Sequence, residues 1–469
     1  MKMGVIEFFI SILSTPAVLV GIFAMFGLIL QGKPIEEIIK GTFKTIVGFL
    51  VLSAGAGYLV GGSLANFGTL FNAAFGVTGS TPNNEAVVAI ALTKVASTTA
   101  YIMVVGMIAN LILARFSKAK FIFLTGHHTL YMACLLAVVL NFANLSAWQT
   151  VVGGGLILGL VMVLMPALAE STMKKITDGA DVSLGHFGTV GYWISAQTGK
   201  LVKGKTKTED INFPQRLTFL RDTIVAISIT MVFFFLIISI VAAVKGEFSP
   251  NGGLYGLLSG EGGLHSSWIV WAIVQGLSFA AGVSVILTGI RLILGEIVPA
   301  FKGIAEKLVP NAKPALDCPI VFPYAPNAVL IGFLASFVGG IVGLAVITGI
   351  NAAIATGFAL AIILPGVIPH FFCGATAGVF GNAEGGLRGC VIGAFIHGLV
   401  ITFLPALLYL VLGRIVGEGT TFGDADFSLV GLTLGSLSLI IKSWGFFIIC
   451  VVLFFLPIII SPLIKDKKA

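Results

Sequence analysis

Apolar stretches long enough to cross a lipid bilayer recur along the whole 469-residue chain. A membrane-spanning helix needs about 20 predominantly apolar residues. The stretches that approach or exceed this length are Phe8–Gln31, Thr45–Gly62, Ala86–Phe116, Phe121–Ala143, Ala147–Ala169, Leu217–Val244, Ser267–Phe301, Asn327–Ile350, Ile354–Val379, Leu387–Gly413 and Ser436–Leu463. The apolar run at Met1–Leu28 is too long for a signal peptide, so we interpret it as the first membrane helix.

The composition supports a membrane protein and excludes a soluble one. Hydrophobic residues make up 57% of the chain and charged residues only 10%, against about 25% charged in average soluble domains. A soluble chain of this length would need more charge, because even large domains bury only about three quarters of their surface. We predict an all-α polytopic integral membrane protein with about eleven transmembrane helices, some of them broken or re-entrant. Inverted repeats are expected, as in many transporters.

The charges indicate which side of the membrane each loop occupies. The net charge is +7, and cationic loops usually face the cytoplasm. The segment 170–216 is the longest polar stretch and the densest in lysine, so we predict a cytoplasmic polar loop there. The glycine-rich loop Gly246–Ser266 suits the outer side. Basic residues do not alternate with aromatic ones in a run, so nucleic acid is not an expected partner.

Two polar interruptions of the apolar pattern predict helix starts or breaks. Backbone leaves the helix at membrane depth only where protein or a water-filled cavity shields it, and transporters place their sites there. The segment 76–85 contains Pro82 and an Asn pair directly before an apolar run, which indicates a helix start. If this helix start faces a cavity, its free N–H groups would favour a bound anion. An external loop that merely caps the helix is an equal alternative. The segment 364–382 combines two prolines with a small-residue run and is typical of a re-entrant hairpin.

The strongest break is the segment 316–327, in which three prolines within eight residues forbid a continuous helix. Asp317 begins it, and a carboxylate at membrane depth is a functional candidate. His127 and His128 lie in an apolar segment, where adjacent positions on a helix face different sides; we expect only one of them to contact a ligand. Around His186 small residues would let backbone approach a ligand, and a surface loop is the alternative.

The sequence lacks the motifs that several other functions would need. The five cysteines are odd in number and have no metal-ligand spacing, so we expect neither a disulfide framework nor a metal site, and no cofactor. The sequence contains no GxxxxGK[ST] phosphate loop, which excludes an ATP motor in this chain. An integral-membrane enzyme acting on lipid would need a nucleophile–base pair or a carboxylate-rich metal site, and neither is evident.

The chain resembles the ascorbate-type membrane subunit (IIC component) of the bacterial phosphoenolpyruvate-dependent phosphotransferase system. The matching motifs occur in family order from about residue 40 to 400. They are Lys40–Phe49 with Ala54–Gly57, Leu124–His127, Thr177–Gly179 with Gly185–His186, Asp317–Cys318 with Ala325–Val329, and Ala375–Phe380.

The resemblance implies a fold, a location and a mechanism. It implies an eleven-helix homodimer in the bacterial cytoplasmic (inner) membrane, with a dimerising domain and a core domain that moves as a rigid body. Residues 1–469 would form a single permease unit without an appended soluble IIA or IIB domain. Those partners would be separate chains that relay phosphate to the incoming sugar. The phosphoryl group would then be carried by a partner, so whether this subunit counts as an enzyme is left open.

The resemblance also implies a substrate pocket. The corresponding positions are Asn84, Glu85, His127, His128, Thr129, Tyr131, His186, Phe187 and Asp317. His127, His186 and Asp317 have the residue types of the family. Glutamines stand in an ascorbate member where Tyr131 and Phe187 stand here, and Thr-Tyr stands at positions 84 and 85.

We expect the histidines to hydrogen-bond ligand hydroxyls, and Tyr131 and Phe187 to stack on the ring or wall it. Asp317 would accept a hydrogen bond from a hydroxyl; its action as a catalytic base is an open hypothesis. The predicted substrate is L-ascorbate or a related sugar acid. The alternatives are another substrate of the same class, such as a pentitol, and an ion- or proton-coupled secondary transporter with the same site.

Overall fold

The computed structural model describes residues 16–76, 79–211, 222–258, 267–354, 359–412 and 420–461. Its α-helices are α1 (Pro16–Leu30), α2 (Ile35–Leu59), α3 (Ala65–Phe75), α4 (Asn84–Phe116), α5 (Gly126–Leu140), α6 (Ala147–Ile176), α7 (Thr189–Val202), α8 (Thr223–Val244), α9 (Trp268–Leu308), α10 (Pro326–Ala353), α11 (Val367–Pro369), α12 (Ala375–Leu412), α13 (Ala425–Ile440) and α14 (Ser443–Ile460). Its strands are β1 (Gly79–Pro82), β2 (Phe121–Phe123), β3 (Ser183–Leu184), β4 (Lys313–Leu316), β5 (Ile362–Ile363) and β6 (Thr420–Thr421).

The protein is an all-α polytopic membrane protein, as the sequence predicts. Within the described ranges, nine helical segments are long and apolar enough to cross a bilayer. Helix α13 is shorter but also apolar. The first half of the predicted first membrane helix, before Pro16, lies outside the described residues.

In the described ranges, six short strands form two parallel three-stranded sheets among the helices. One sheet has the order β5-β1-β6 and the other the order β2-β4-β3. Each strand leads directly or within a few residues into a helical segment. The sheets satisfy backbone groups where helices are interrupted, and this is required because an unpaired backbone group in the bilayer interior is costly.

The two sheets are related by an exchange of strands. If β1, β2 and β3 are matched with β4, β5 and β6, the order β5-β1-β6 becomes β2-β4-β3, which is the order of the second sheet. In each sheet the first strand of one half therefore lies between two strands of the other half. This order is the one that intertwined repeats produce, and it supports the repeats expected from the sequence.

A helical hairpin follows β5. The prolines at 365 and 369 prevent a regular helix, and α11 is followed by one π-helical turn, His370–Gly374, before α12. At Gly386 the backbone has φ 60° and ψ −153°, and the chain reverses, so that Gly381 and Gly389 are in contact. The predicted hairpin in segment 364–382 is thus present, with its tip beyond the predicted range. The described part of the apolar stretch Ile354–Val379 is consequently not one regular helix.

The segment 170–216 differs from the predicted polar loop. It contains the end of α6, strand β3 and the whole of α7. Helix α7 packs on α12, and the Ser195 hydroxyl donates a 2.6 Å hydrogen bond to the Ala377 carbonyl. The segment looks polar in sequence because most of its contacts use small residues, such as Gly199 against Gly381 and Gly385. Its cytoplasmic location stays a prediction.

The helices pack in two groups. Helices α1, α2, α3, α8 and α9 contact mainly one another, and α4 to α7 with α10 to α14 form the second group. Both sheets belong to the second group. The assignment of these two groups as a dimerising domain and a core domain stays a prediction.

Replacement of Gly386 tests the hairpin reversal. The (φ, ψ) region of Gly386 is almost restricted to glycine, and strain there costs about 1–3 kcal/mol. A Cβ atom would also collide with the Thr206 carbonyl oxygen. We expect Gly386→Ala to lower the thermal unfolding midpoint of the detergent-solubilised protein. Gly57→Ala is the control, because Gly57 lies in α2 and has open space around its Cβ position. An unchanged midpoint for Gly386→Ala would contradict the reversal.

Candidate functional site

The carboxyl ends of both sheets face one cavity of about 920 Å³. The first sheet contributes residues that follow β1, β5 and β6, and the second contributes residues that follow β2, β3 and β4. The polar and charged side chains that line the cavity are Asn84, Glu85, Thr125, His127, His128, Tyr131, His186, Arg291, Asp317 and Asp424. Broken helices therefore place side chains from both halves of the chain in one polar site, as in transporters.

His127 and His128 both line this cavity, which corrects the expectation that only one of them reaches the site. The residues begin α5, and their rings are 4.7 Å apart, centroid to centroid. His127 is partly exposed, whereas His128 is buried. The prediction failed because the cavity wraps around the amino end of α5, where two adjacent side chains can both reach it.

Backbone hydrogen bonds fix the tautomers of His128 and His186. The Phe187 N–H donates to His128 Nδ1 at 3.2 Å, and the Gly188 N–H donates to His186 Nδ1 at 3.1 Å. A backbone N–H can only donate, so each Nδ1 is an acceptor and each neutral ring carries its proton on Nε2. Tyr192 donates its hydroxyl to the same Nδ1 of His186 at 2.8 Å. His128 and His186 therefore each present an Nε2–H donor to the cavity.

Asp317 directly follows β4 and caps the 3₁₀-helix that comes next. Its Oδ1 accepts a 2.7 Å hydrogen bond from the Cys318 N–H. Its Oδ2 lies 3.4 Å from Nε2 of His127, and its Oδ1 lies 3.7 Å from Nε2 of His186. The three residues that match the family therefore meet in one place. The three residues are far apart in sequence, and the pairing of β4 with β2 and β3 brings them together.

Glu85 and Tyr131 are buried polar residues with unsatisfied groups. Within the described part of the chain, Oε2 of Glu85 and the hydroxyl of Tyr131 make no hydrogen bond of good geometry, although the two side chains approach each other. Both residues line the cavity. A buried polar group without a partner is destabilising unless water or a ligand satisfies it, so both groups are suited to contact a ligand.

Thr129 and Phe187 do not line the cavity. The Thr129 hydroxyl donates to the Thr125 carbonyl within the first turn of α5. Phe187 is fully buried and stacks on Phe123 with ring centroids 4.7 Å apart. The expectation that Phe187 walls the ligand ring is therefore not met, because its apolar ring packs into an aromatic cluster behind the cavity.

Three charged residues were missed by sequence reasoning. Asp424 lines the cavity and accepts a 3.0 Å hydrogen bond from the Asn84 amide. Asp426 is buried behind the cavity and accepts 2.9 Å hydrogen bonds from the Thr189 and Val190 N–H groups at the start of α7. The two carboxylates at the start of the apolar helix α13, one at its N-cap and one in its first turn, were a signal for them. Arg291 lines the cavity from α9, in the other group of helices.

Among the residues that the structure describes, three groups of side chains have ligand atoms within 4.8 Å of one another, as a metal site requires: His127, His128 and Asp317; His128, His186 and Asp424; and His186, Asp317 and Cys318. The fold brings these ligand atoms together from distant segments, which the spacing of residues along the chain does not reveal. The tautomers nevertheless make this a poor metal site. A neutral His coordinates through an unprotonated nitrogen, and in His128 and His186 the backbone already uses that nitrogen.

A polytopic bundle whose broken helices surround a polar cavity has the architecture of a membrane transporter. The model of the EIIC-GAT family, described as the sugar-specific permease component of the PTS system, matches residues 11–426, and the chain belongs to this family. A relative named ascorbate-specific PTS system EIIC component, from Mycoplasma pneumoniae (strain ATCC 29342 / M129), is 28% identical over 440 residues. The match covers 84% of this chain and 65% of the relative, so this chain spans about two thirds of the relative's length.

Removal of the Asp426 charge tests how the site is held together. Asp426 joins α13 to the segment of His186 through its carboxylate and through a 2.9 Å bond from its N–H to the Phe187 carbonyl. We expect Asp426→Asn to destabilise the protein by about 1–3 kcal/mol, because one buried backbone N–H would face an amide NH₂. Thermal unfolding measures this.

Asp222→Asn is the matched control. Asp222 is exposed and caps α8 through a 3.0 Å bond from the Val225 N–H, and asparagine caps a helix about as well as aspartate. Equal effects of the two substitutions would contradict the role of Asp426.

Proposed function

We propose that this chain is the membrane permease subunit of a phosphoenolpyruvate-dependent phosphotransferase system and carries L-ascorbate or a related sugar acid into a bacterial cell. The observation that carries the proposal is the meeting of His127, His186 and Asp317 at one cavity, since these residues match the substrate positions of ascorbate permeases. The name of the Mycoplasma relative agrees with this substrate. Arg291 is the one Lys or Arg side chain among the described lining residues, and it would attract an anionic ligand.

The two groups of helices suggest how the substrate crosses. The cavity is lined mainly by the second group and is closed on one side by Arg291 and Gly295 of α9, in the first group. A rigid-body displacement of the second group would carry the cavity along α9 and expose it to the other side. The first group would then serve as the fixed, dimerising domain; its helix α2 exposes Phe43 and Leu50, which suit contact with lipid or with a second copy.

Separate IIA and IIB subunits would phosphorylate the sugar as it emerges. The tip of the α12 hairpin is surrounded by basic residues, and Glu384 of the tip pairs with Lys175 at 2.6 Å. Other cations near the tip are exposed, among them Lys203, Lys205 and Arg388. An acidic partner surface would be attracted here, close to the hairpin that begins at the cavity. A phosphorylatable residue is not required in this chain, because the partner would supply the phosphoryl group.

The charges of the cavity favour a second candidate substrate. Glu85, Asp317 and Asp424 place three carboxyl groups around it, and only Arg291 is a permanent cation among the described lining residues. Close carboxylates repel an anion unless they are neutralised. An uncharged polyol such as a pentitol would accept hydrogen bonds from the histidines and donate to the carboxylates without this repulsion.

Direct binding distinguishes the two substrates. We expect L-ascorbate to bind the purified protein in lipid nanodiscs, and Asp317→Asn to weaken binding about tenfold or more, since a hydrogen bond to a charged group contributes about 1.5–3 kcal/mol. Isothermal titration calorimetry measures both. Glu85→Gln should strengthen ascorbate binding by removing a repulsion and leave xylitol binding without that gain. Binding of xylitol and not of ascorbate by the folded wild-type protein would select the polyol.

Energy coupling distinguishes this permease from an ion-coupled transporter with the same site. We expect proteoliposomes to accumulate labelled ascorbate, in phosphorylated form, only when IIA, IIB and their phosphate-donor chain are enclosed with phosphoenolpyruvate. Collapse of the ion gradients with ionophores should leave the accumulation unchanged. Accumulation of unmodified ascorbate that requires a proton or sodium gradient would overturn the proposal.

A further inference from the structure

Two histidine–carboxylate pairs face the cavity with the same spacing. In the outer pair, Nε2 of His186 lies 3.7 Å from Oδ1 of Asp317. In the inner pair, Nε2 of His128 lies 3.7 Å from Oδ2 of Asp424. Both distances are too long for a direct hydrogen bond. The carboxylate of the inner pair comes from the first sheet's end and its histidine from the second sheet's end.

Each pair offers one donor and one acceptor. The backbone N–H groups of Phe187 and Gly188 leave both histidines with their proton on Nε2, so Nε2 donates in each pair and the carboxylate accepts. A hydroxyl group both accepts and donates. A hydroxyl oxygen about 2.8 Å from each atom would bridge such a gap with two good hydrogen bonds.

The acceptor of the inner pair is held in place by the neighbouring Asn84 side chain. Oδ1 of Asp424 accepts the 3.0 Å bond from the Asn84 amide, and the same amide's oxygen accepts a 2.8 Å bond from the Gly423 N–H. Oδ2 lies 3.7 Å from Nε2 of His128 and 3.9 Å from Nδ1 of His186, and the Cys373 thiol lies beside the same carboxylate. Asp424 is 97% buried, since its relative exposure is 3%. A carboxylate oxygen held in this way at the wall of a polar cavity is positioned for a ligand.

We propose that Asp424 is a specificity-determining residue that, with His128, binds one ligand hydroxyl, while His186 and Asp317 bind a neighbouring one. The two pairs adjoin, because the rings of His128 and His186 are 3.8 Å apart, centroid to centroid. The site therefore selects a ligand with two neighbouring hydroxyls, whether it is a sugar acid or a polyol. This inference deepens the proposed function and rests on it for the nature of the ligand.

Hydrogen bonds on the far side of each imidazole ring keep the two histidines apart from their carboxylates. The Nδ1 bonds from Phe187 and Gly188 fix both imidazole rings from behind, and Tyr192 adds its hydroxyl to His186. Gly188 can approach His186 in this way because it lacks a Cβ atom, which would collide with the Tyr192 hydroxyl. The rings therefore cannot swing onto the carboxylates without losing these bonds.

Binding measurements on matched variants test the inner pair. L-ascorbate and xylitol are titrated separately into the full-length wild type and into Asp424→Asn, Asp317→Asn and Glu36→Gln in nanodiscs. Asp424→Asn should reduce the affinity for the probe that binds about tenfold or more, as Asp317→Asn does. Glu36→Gln makes the same carboxylate-to-amide change at an exposed site at the start of α2. It should leave the affinity for the probe unchanged. A folded Asp424→Asn protein with wild-type affinity would overturn the proposal.

The tautomers provide a readout that needs no ligand. Nitrogen NMR of ¹⁵N-histidine-labelled protein, assigned with single His→Asn variants, should show His128 and His186 neutral and protonated on Nε2. Protonation of Nδ1 in His128 would overturn the inner pair, even if Asp424→Asn fails to fold. If neither probe binds the wild type but the tautomers are as expected, the proposed substrates fail while the donor–acceptor pairs stand.

Discussion

The need to pair every backbone N–H and C=O at membrane depth governs this structure. A helix satisfies its own backbone, but a helix cannot present several side chains from separate segments at one point. Here six helices are entered through short strands, and the strands pair in parallel in two groups of three. The sheets restore the hydrogen bonds that the breaks remove. They also bring six chain segments to one cavity. The strand pairing that satisfies the backbone therefore also assembles the site.

The sequence predicts the membrane class and the breaks, but not the partners that the breaks bring together. Asp317 and the prolines that follow it were recognisable because charge and proline are rare in apolar segments. Asp424 was missed although the same argument applies to it, because its segment is short and its contacts with Asn84 and His128 are distant in sequence. The pair His127–His128 was judged as part of a regular helix, whereas the start of α5 forms a rim of the cavity.

Helix α7 shows a second limit of sequence reasoning. Its segment is rich in lysine at both ends, and hydropathy identifies it as a loop. Apart from Tyr192, which is buried against Phe380, its buried face is made of small residues, with Ser195 and Gly199 against the hairpin of α12. Close packing of small residues stabilises helix pairs in membranes without any large apolar side chain. A pattern based on apolar periodicity cannot detect such a face.

The exchange of strands between the two sheets also constrains how the chain can be made. Strand β1 pairs with β5 on one edge and with β6 on the other, so Gly79 meets Ile362 and Thr81 meets Thr420. During synthesis, the first half of the protein enters the membrane with β1 unpaired until almost the whole chain has followed. Contacts between residues so distant in sequence form slowly, and exposed strand edges invite wrong pairing in the meantime. Biogenesis therefore depends on keeping an incomplete cavity open and hydrated until its last strand arrives.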